Sequence, residues 1–152
     1  MTPIQTPITG AEDLASFEGP LAALVGFYRA FNGRDLSLMV ENWENSGEAS
    51  MDNPLGGIKR GWDEIRLVYE RIFGGEASVQ IQFHDYTLHC MGDVFMAVGR
   101  ERGTLRNAGM SLDLRIRTSR VFSRGSGGWR QVHHHGSIDD PDLLARYQAA
   151  VR

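Results

Sequence analysis

The sequence has almost no cysteine and no long apolar stretch. Its single cysteine, Cys90, cannot form an internal disulfide, which agrees with a reducing compartment. We expect a small buried residue at this position rather than a catalytic thiol. No apolar run is long enough to span a bilayer, and residues 1–5 lack the basic-then-apolar pattern of a signal peptide. These absences predict a cytoplasmic protein with no membrane partner.

Lysine is nearly absent as well. Lys59 is the only one, so arginine supplies almost all of the positive charge, a composition that favours a GC-rich bacterial source. The net charge of −3 argues against general nucleic-acid binding. Many arginines nevertheless fall in one stretch, at positions 100, 102, 106, 115, 117, 120, 124 and 130. Most are expected on a solvated sheet face. One or two that face inward would bind an anionic or carbonyl ligand.

The remaining composition suits one globular domain. The chain has 152 residues, 41% of them hydrophobic and 23% charged, which is enough to bury a sizeable core. Residues 1–10 are polar and contain two prolines, and they predict a flexible arm. Residues 11–152 show no internal boundary, so we expect a single domain there.

Helical periodicity occupies the first half of the chain. Apolar residues at helical spacing predict a helix over residues 11–32, a second helix led by Asp35, and a third over residues 62–73. Between the second and third, residues 46–61 are rich in turn-forming residues and predict two short strands.

From residue 77 onward the apolar period changes to two. Four long strands are predicted, over residues 78–90, 94–106, 110–124 and 129–137, and a short helix follows. The short connections imply antiparallel hairpins. Helices that precede an antiparallel sheet indicate an α+β fold. We expect a cone, in which the curved antiparallel sheet wraps around the N-terminal helices.

Three consecutive histidines lie in the last predicted strand. Strand alternation places His133 and His135 on one face together with Gln131, and His134 on the other face. Two histidines on one face could share a zinc ion with His84 or His89 as a third ligand. A metal-free polar pocket or interface is the preferred interpretation, and no metal or cofactor is expected.

Local sequence patterns point to a known family. Residues 27–36 (FYRAFNGRDL), 52–57 (DNPLGG) and 117–137 (RTSRVF, then GWRQVHHHGS) stand in the order and spacing typical of the nuclear-transport-factor-2-like superfamily. The resemblance covers about residues 14–138. Members of this superfamily include SnoaL-like proteins, ketosteroid isomerase and scytalone dehydratase. The last segment, together with residues 88–93 (LHCMGD), also resembles the association domain of calcium/calmodulin-dependent kinase. The resemblance implies a cystatin-like cone that assembles as a homodimer or a larger ring.

Resemblance to ketosteroid isomerase argues against that enzyme's own mechanism. Its general base falls at Asn53, and an amide cannot accept the proton. The two groups that would stabilise the oxyanion fall at Phe27 and near Thr118, which differ from the family's donors. Tyr28, the neighbour of Phe27, is kept as a possible ligand contact.

Two other relatives imply different sites. Resemblance to scytalone dehydratase implies an acid–base pair in which His84 or His133 works with Asp52 or Asp85. Resemblance to the association domain implies an inward-facing arginine at Arg100.

With Arg117 and His133 or His135, Arg100 would form a cationic floor for a carboxylate. An internal pair between Arg100 and an acidic residue is the open alternative.

These interpretations define the candidate residues. The candidate catalytic residues are His133, Asp52 and His84. The candidate ligand-binding residues are Arg100, Arg117, His135, Asn53, Tyr28 and Trp62. The expected function is that of a SnoaL-like homodimer that binds a small, partly apolar carboxylate or carbonyl compound in its cone. The alternative is a lyase or isomerase of the dehydratase or ketosteroid-isomerase type that uses a His/Asp acid–base pair.

Overall fold

The computed structural model describes residues 1–151; Arg152, the last residue of the predicted domain, lies outside the described residues. The helices are α1 (Gly19–Asn32), α2 (Leu36–Asn42), α3 (Trp62–Gly74) and α4 (Pro141–Ala150). The strands are β1 (Ser50–Asp52), β2 (Ile58–Arg60), β3 (Ser78–Met91), β4 (Val94–Asn107), β5 (Met110–Gly125) and β6 (Gly128–Ser137). The predicted α+β class is confirmed. No described helix combines the length and apolar character needed to cross a bilayer.

The first helix begins later than its periodicity predicts. Pro20 lies in the first turn of α1, where its fixed φ and missing N–H suit a helix start, so α1 begins at Gly19 and not at residue 11. A single 3-10 turn, Leu14–Ser16, precedes it and is capped by the Asp13 side chain.

The strands form one sheet in the order β2-β1-β6-β5-β4-β3. Hairpins join each strand from β3 to β6 to the next one, as predicted, whereas β1 pairs with β6 in parallel. The register shifts twice, between His84 and Thr87 in β3 and between Val121 and Phe122 in β5. Such irregularities bend and twist a sheet. The expected curvature is therefore present, and the helices pack against one face, which we call the inner face; the opposite face is the outer face.

An aromatic cluster fills the space between the helices and the inner face. Phe27 and Phe31 on α1 lie with their ring centroids 6.4 and 6.5 Å from that of Tyr69 on α3. The Tyr69 ring also lies 6.3 Å from that of Trp43, next to α2. These distances fall in the range where aromatic pairs attract each other beyond simple area burial. The cluster fixes the helices relative to the sheet and forms one side of the candidate site.

The N-terminal segment is attached to the sheet. The sequence predicts a flexible arm over residues 1–10, but Ile4 and Ile8 bridge Tyr86 and Phe83 of β3. Ile8 is also buried in the core. This pairing satisfies backbone groups along the edge of β3, which would otherwise be open to other strands.

The single cysteine is exposed, so the expectation of burial is wrong. Cys90 lies beside the hairpin that joins β3 to β4, and its neighbour Met91 is also exposed. Residues at the tip of a hairpin extend beyond the helices that cover the rest of the sheet. A side chain there can therefore be exposed even when it points to the inner face.

Candidate functional site

A bulge in β6 decides which histidine faces inward. Val121 pairs with His133, but the next residue of β5, Phe122, pairs with Gln131, so Val132 is the extra residue. One extra residue reverses the facing of everything beyond it. His134 is therefore buried with Gln131 on the inner face. The prediction that His133 and His135 share a face with Gln131 is wrong.

His133 and His135 instead make contacts across to β1. The His133 Nδ1 lies 2.8 Å from the Ser50 Oγ, and the His135 Nδ1 lies 3.0 Å from the Asp52 Oδ2. A histidine–carboxylate pair is therefore present. Its histidine is His135, not the predicted His133 or His84, and the pair is partly exposed at the outer face.

The predicted arginines also lie on the outer face. Arg100 pairs in register with Arg117 and, on the other side, with His84, so these three predicted residues do come together. Arg100 is exposed and the next residue along β4, Glu101, is buried. The expectation that Arg100 faces the interior is wrong, because the alternation of β4 turns Glu101 inward.

Of the other three candidates, Tyr28 and Trp62 lie inside the protein, and Asn53 lies on a partly exposed turn. The Asn53 Oδ1 accepts a hydrogen bond from the Leu55 N–H at 2.8 Å, so this amide closes a turn. Tyr28 is fully buried. Trp62 packs in the core with its ring centroid 6.4 Å from that of Trp43.

A buried ion pair occupies the centre of the inner face. The Arg120 Nη2 donates to the Glu101 Oε1 at 2.7 Å, its Nη1 donates to the Gln131 Oε1 at 2.8 Å, and its Nε donates to the Tyr28 hydroxyl at 3.2 Å. Tyr28 in turn donates to the same Glu101 oxygen at 2.7 Å. The guanidinium also lies 3.5 Å from the centroid of the Phe27 ring.

This network keeps Arg120 charged at neutral pH. Burial by itself would lower the pKa of Arg120, but Tyr28 and Glu101 beside it hold that pKa above its ordinary value. Burial raises the pKa of Tyr28, so its hydroxyl stays protonated and donates. A buried charge persists only when it is paired and hydrogen-bonded, and this arrangement meets both conditions.

A cavity of about 50 Å³ lies beside the network. Its wall is mostly apolar, with Phe27, Phe31, Ile81 and Ile116 among its members. Its polar members are Asn53, Tyr69, Glu101, Arg120, His134 and Tyr147. Burial raises the pKa values of Tyr69 and Tyr147 to about 12, so both phenols are protonated at neutral pH.

His134 is the unsatisfied group in this wall. It is 6% exposed, and neither ring nitrogen has a hydrogen-bond partner among the described residues. Burial, and then the positive charge of Arg120, lower its pKa well below the ordinary value. A neutral imidazole offers one N–H donor and one acceptor nitrogen. Orphaned polar atoms inside a protein are costly, and His134 is the one residue with such atoms among the described residues that line this cavity.

Access to the cavity lies between the turn after β1 and helix α3. The partly exposed members of the wall are on that turn, at residues 53–55, and on α3, at Val68 and Ile72. Helix α4 lies across the same turn, because the Gln148 Nε2 donates to the Leu55 carbonyl at 2.8 Å. A ligand larger than one or two waters would need this turn or α4 to move.

The residues that build the interior site include four that the sequence interpretation missed: Arg120, Glu101, Gln131 and His134. The apolar alternation of Leu112, Leu114 and Ile116 in β5 carries Arg120 to the inner face, and this was an available signal. No comparable signal existed for His134, whose facing depends on the bulge. Across residues 1–151, no group of three or more His, Cys, Asp or Glu side chains is arranged to hold a metal ion.

Comparison with known proteins places the chain in a family. The model of the SnoaL-like domain matches residues 21–141, which is most of the sequence, so this chain belongs to the SnoaL-like domain family. Among curated proteins, no sequence matches it.

Solved structures agree on the fold. A protein from Streptomyces avermitilis, provisionally described as a dehydratase of the NTF2-like family, is 21% identical with a TM-score of 0.72, covering 81% of this chain and 95% of its own. A provisionally described calcium/calmodulin-dependent protein kinase type II association domain from Thiobacillus denitrificans is 24% identical with a TM-score of 0.66, covering 82% and 98%. A protein with a cystatin-like fold from Caulobacter vibrioides is 19% identical with a TM-score of 0.63, covering 83% and 91%. At these identities the likeness shows the fold alone.

Proposed function

We propose that this chain binds a small, partly apolar molecule carrying a carbonyl or carboxylate group in its interior cavity, and that it does so as a homodimer. The observation that carries the proposal is His134, a buried neutral imidazole with two unpartnered nitrogens at the cavity wall. Small-molecule sites are mostly apolar, with a few polar groups that fix orientation, and this cavity has that composition. Because its volume is only about 50 Å³, binding requires the turn after β1 or helix α4 to move and enlarge it.

The polar chemistry of the wall favours a carbonyl over a carboxylate. Arg120 is already neutralised by Glu101, so a carboxylate ligand would add a second negative charge beside that acid. A carbonyl oxygen needs only a donor, which a neutral His134 supplies. A hydroxyl on the same ligand would satisfy the other ring nitrogen.

A matched set of small probes tests the proposal. Cyclohexanone, cyclohexanol and cyclohexanecarboxylate share one apolar ring and differ in the polar group, and binding to the folded state raises the melting temperature. Cyclohexanone should raise it most, and a His134→Leu variant should lose this response. The matched control, His135→Leu, removes an imidazole from the outer face and should respond as the wild type does. Equal responses in the wild type and His134→Leu would contradict the proposal, as would no response to any of the probes.

The second candidate is the lyase or isomerase. It is favoured by the His135–Asp52 contact of 3.0 Å, in which the carboxylate can hold the imidazole in one tautomer for acid–base work. This candidate is tested by incubating the wild type and the same two variants with β-hydroxy ketones and following the ultraviolet absorbance. Loss of water from such a compound forms an enone with strong ultraviolet absorbance. Turnover that disappears in His135→Leu and persists in His134→Leu would favour this candidate over simple binding.

The proposed homodimer uses an apolar patch on the outer face. Met96, Val98 and Val121 lie there near the β3–β4 hairpin, partly or fully exposed, and exposed apolar groups side by side on one face mark an interaction surface. In a twofold dimer such a patch meets its own copy. We expect the wild type to sediment as a dimer at micromolar concentration and Val98→Glu to sediment as a monomer. The control, Leu67→Glu, alters an exposed residue on α3 and should stay dimeric; a monomeric wild type would contradict the dimer.

A further inference from the structure

A block of four arginines lies on the outer face, next to the proposed dimer patch and further along β4 and β5. Arg100 stands directly opposite Arg117, and Arg102 stands directly opposite Arg115, on the neighbouring strands β4 and β5. Like charges placed directly across a sheet destabilise it. A chain of net charge −3 has enough acids to alternate signs here, yet two repulsive pairs lie side by side. The arrangement therefore indicates a surface that binds an anion across the two strands and not a surface that is merely solvated.

The protein's own acids neutralise only part of this block. The Arg100 Nε lies 3.4 Å from the Asp85 Oδ2, and the Arg117 Nη2 lies 2.5 Å from the Asp139 Oδ1. Both pairs are largely exposed, and exposed pairs hold their partners weakly. Arg102 and Arg115 make no salt bridge with any residue that the structure describes. At least two guanidinium groups are thus free to bind a ligand.

The block forms one wall of a cleft. A groove of about 460 Å³ runs between the four arginines and the segment that leads into α4, and the carboxylates of Glu101, Asp139 and Asp140 also line it. Each of these acids already has a partner: Glu101 pairs with Arg120, Asp139 pairs with Arg117, and Asp140 accepts N–H groups of the first turn of α4. The volume of the groove is that of an ordinary small-molecule site. Each guanidinium presents a planar fork that matches the geometry of a carboxylate or a phosphate.

His84 lies at the edge of the same cleft, opposite Arg100. Burial lowers its pKa, Arg102 and Arg100 lower it further, and Asp85 opposes them. The groups that face it therefore create a net positive field. An anion in the cleft would oppose that field and raise the pKa of His84, which gives a reporter for occupancy that does not depend on activity.

We propose that this cleft binds a small organic anion carrying two or more negative charges on phosphate or carboxylate groups, with Arg102 and Arg115 as its principal ligands and Arg100 and Arg117 beside them. None of the four arginines belongs to the wall of the interior cavity, although Glu101 and Ile116 line both spaces. The site does not depend on the function proposed above.

Calorimetric titration at low ionic strength and pH 7 tests this site. Pyrophosphate represents phosphate ligands, citrate represents polycarboxylates, and acetate is the singly charged control. We expect at least one of the polyanions to bind at one per chain, with acetate at least about tenfold weaker. Whichever of the two binds more tightly identifies the charged group that the cleft prefers.

Matched arginine variants locate the binding. Arg102→Gln and Arg115→Gln should each weaken it about tenfold, and the double variant about a hundredfold, because each removes a charged hydrogen-bonding fork. Arg106→Gln removes the same charge from the same face of β4, about 13 Å further along the strand, and should change the affinity less than about twofold. Melting temperatures of all variants check folding.

The His84 ring proton followed by NMR gives the second measurement. Saturating polyanion should shift its titration to higher pH in the wild type and in Arg106→Gln, and leave it unmoved in the double variant. The proposal is overturned if neither polyanion binds at millimolar concentration. It is also overturned if the double variant binds as tightly as the wild type, or if acetate binds as well as the polyanions.

Discussion

Replacing Glu101 with leucine should lower the free energy of unfolding by about 3–5 kcal/mol, because it leaves the Arg120 guanidinium buried without a counter-charge. The Tyr28 hydroxyl loses its acceptor in the same step. For a domain of this size we expect the melting temperature to fall by roughly 10 °C or more. Urea unfolding followed by circular dichroism measures the change.

The double variant Glu101→Leu/Arg120→Met separates charge from packing. If the cost of the single change is an uncompensated buried charge, removing both charges should recover most of the lost stability, since apolar side chains of similar volume often replace a buried pair without loss. The thermodynamic cycle should then give a coupling free energy of at least about 2 kcal/mol. A single variant that costs less than about 1 kcal/mol, or two changes that simply add, would show that the pair is not held as described.

Stability should fall as the pH drops below about 6.5, through His134. The pKa of this imidazole is lowered in the folded state, whereas in the unfolded chain it is near 6.5. Above that pH neither state binds the proton, and His134 contributes no pH dependence. As the pH falls below about 6.5, His134 binds a proton in the unfolded chain but not in the folded state. Its contribution is a loss of about 1.4 kcal/mol per pH unit, or about 2 kcal/mol between pH 6.5 and 5.

Comparing His134→Leu with His89→Leu separates this effect from that of the carboxylates that titrate in the same pH range. His134→Leu should lose its share of the acid sensitivity, so its stability curve should diverge from that of the wild type below pH 6.5. His89→Leu, at a partly exposed position of β3, should leave the acid sensitivity of the wild type in place. Parallel curves for the wild type and His134→Leu would mean that this histidine takes up its proton in the folded protein.

The order of elements could be predicted from the sequence because local chemistry determines it. Pro20 marks the start of α1, and the alternation of Leu112, Leu114 and Ile116 marks β5 and its inward face. The tight turns between the long strands specify antiparallel hairpins, and the structure has them. The family resemblance rests on residues 27–36, 52–57, 88–93 and 117–137, and the match over residues 21–141 confirms it.

The facing of the site residues could not be predicted in the same way. Strict alternation placed His133 and His135 together with Gln131, and one extra residue at Val132 reversed this beyond the bulge. A bulge depends on the pairing with β5, and no local pattern in β6 announces it. The facing of β4 was mispredicted in a similar way. An error of one residue in the alternation placed Arg100 at the inner face, where the structure has Glu101.

We propose that His134 is the hydrogen-bond partner of a ligand carbonyl inside the cone. A crystal of untagged protein soaked with a brominated cyclic ketone tests it most directly, because anomalous scattering locates the bromine without ambiguity. We predict bromine within the cavity bounded by Phe27, Arg120 and Tyr147, with the ketone oxygen within hydrogen-bonding distance of a His134 ring nitrogen. Bromine found solely on the outer face, or an interior ketone whose oxygen points away from His134, would contradict this role of His134.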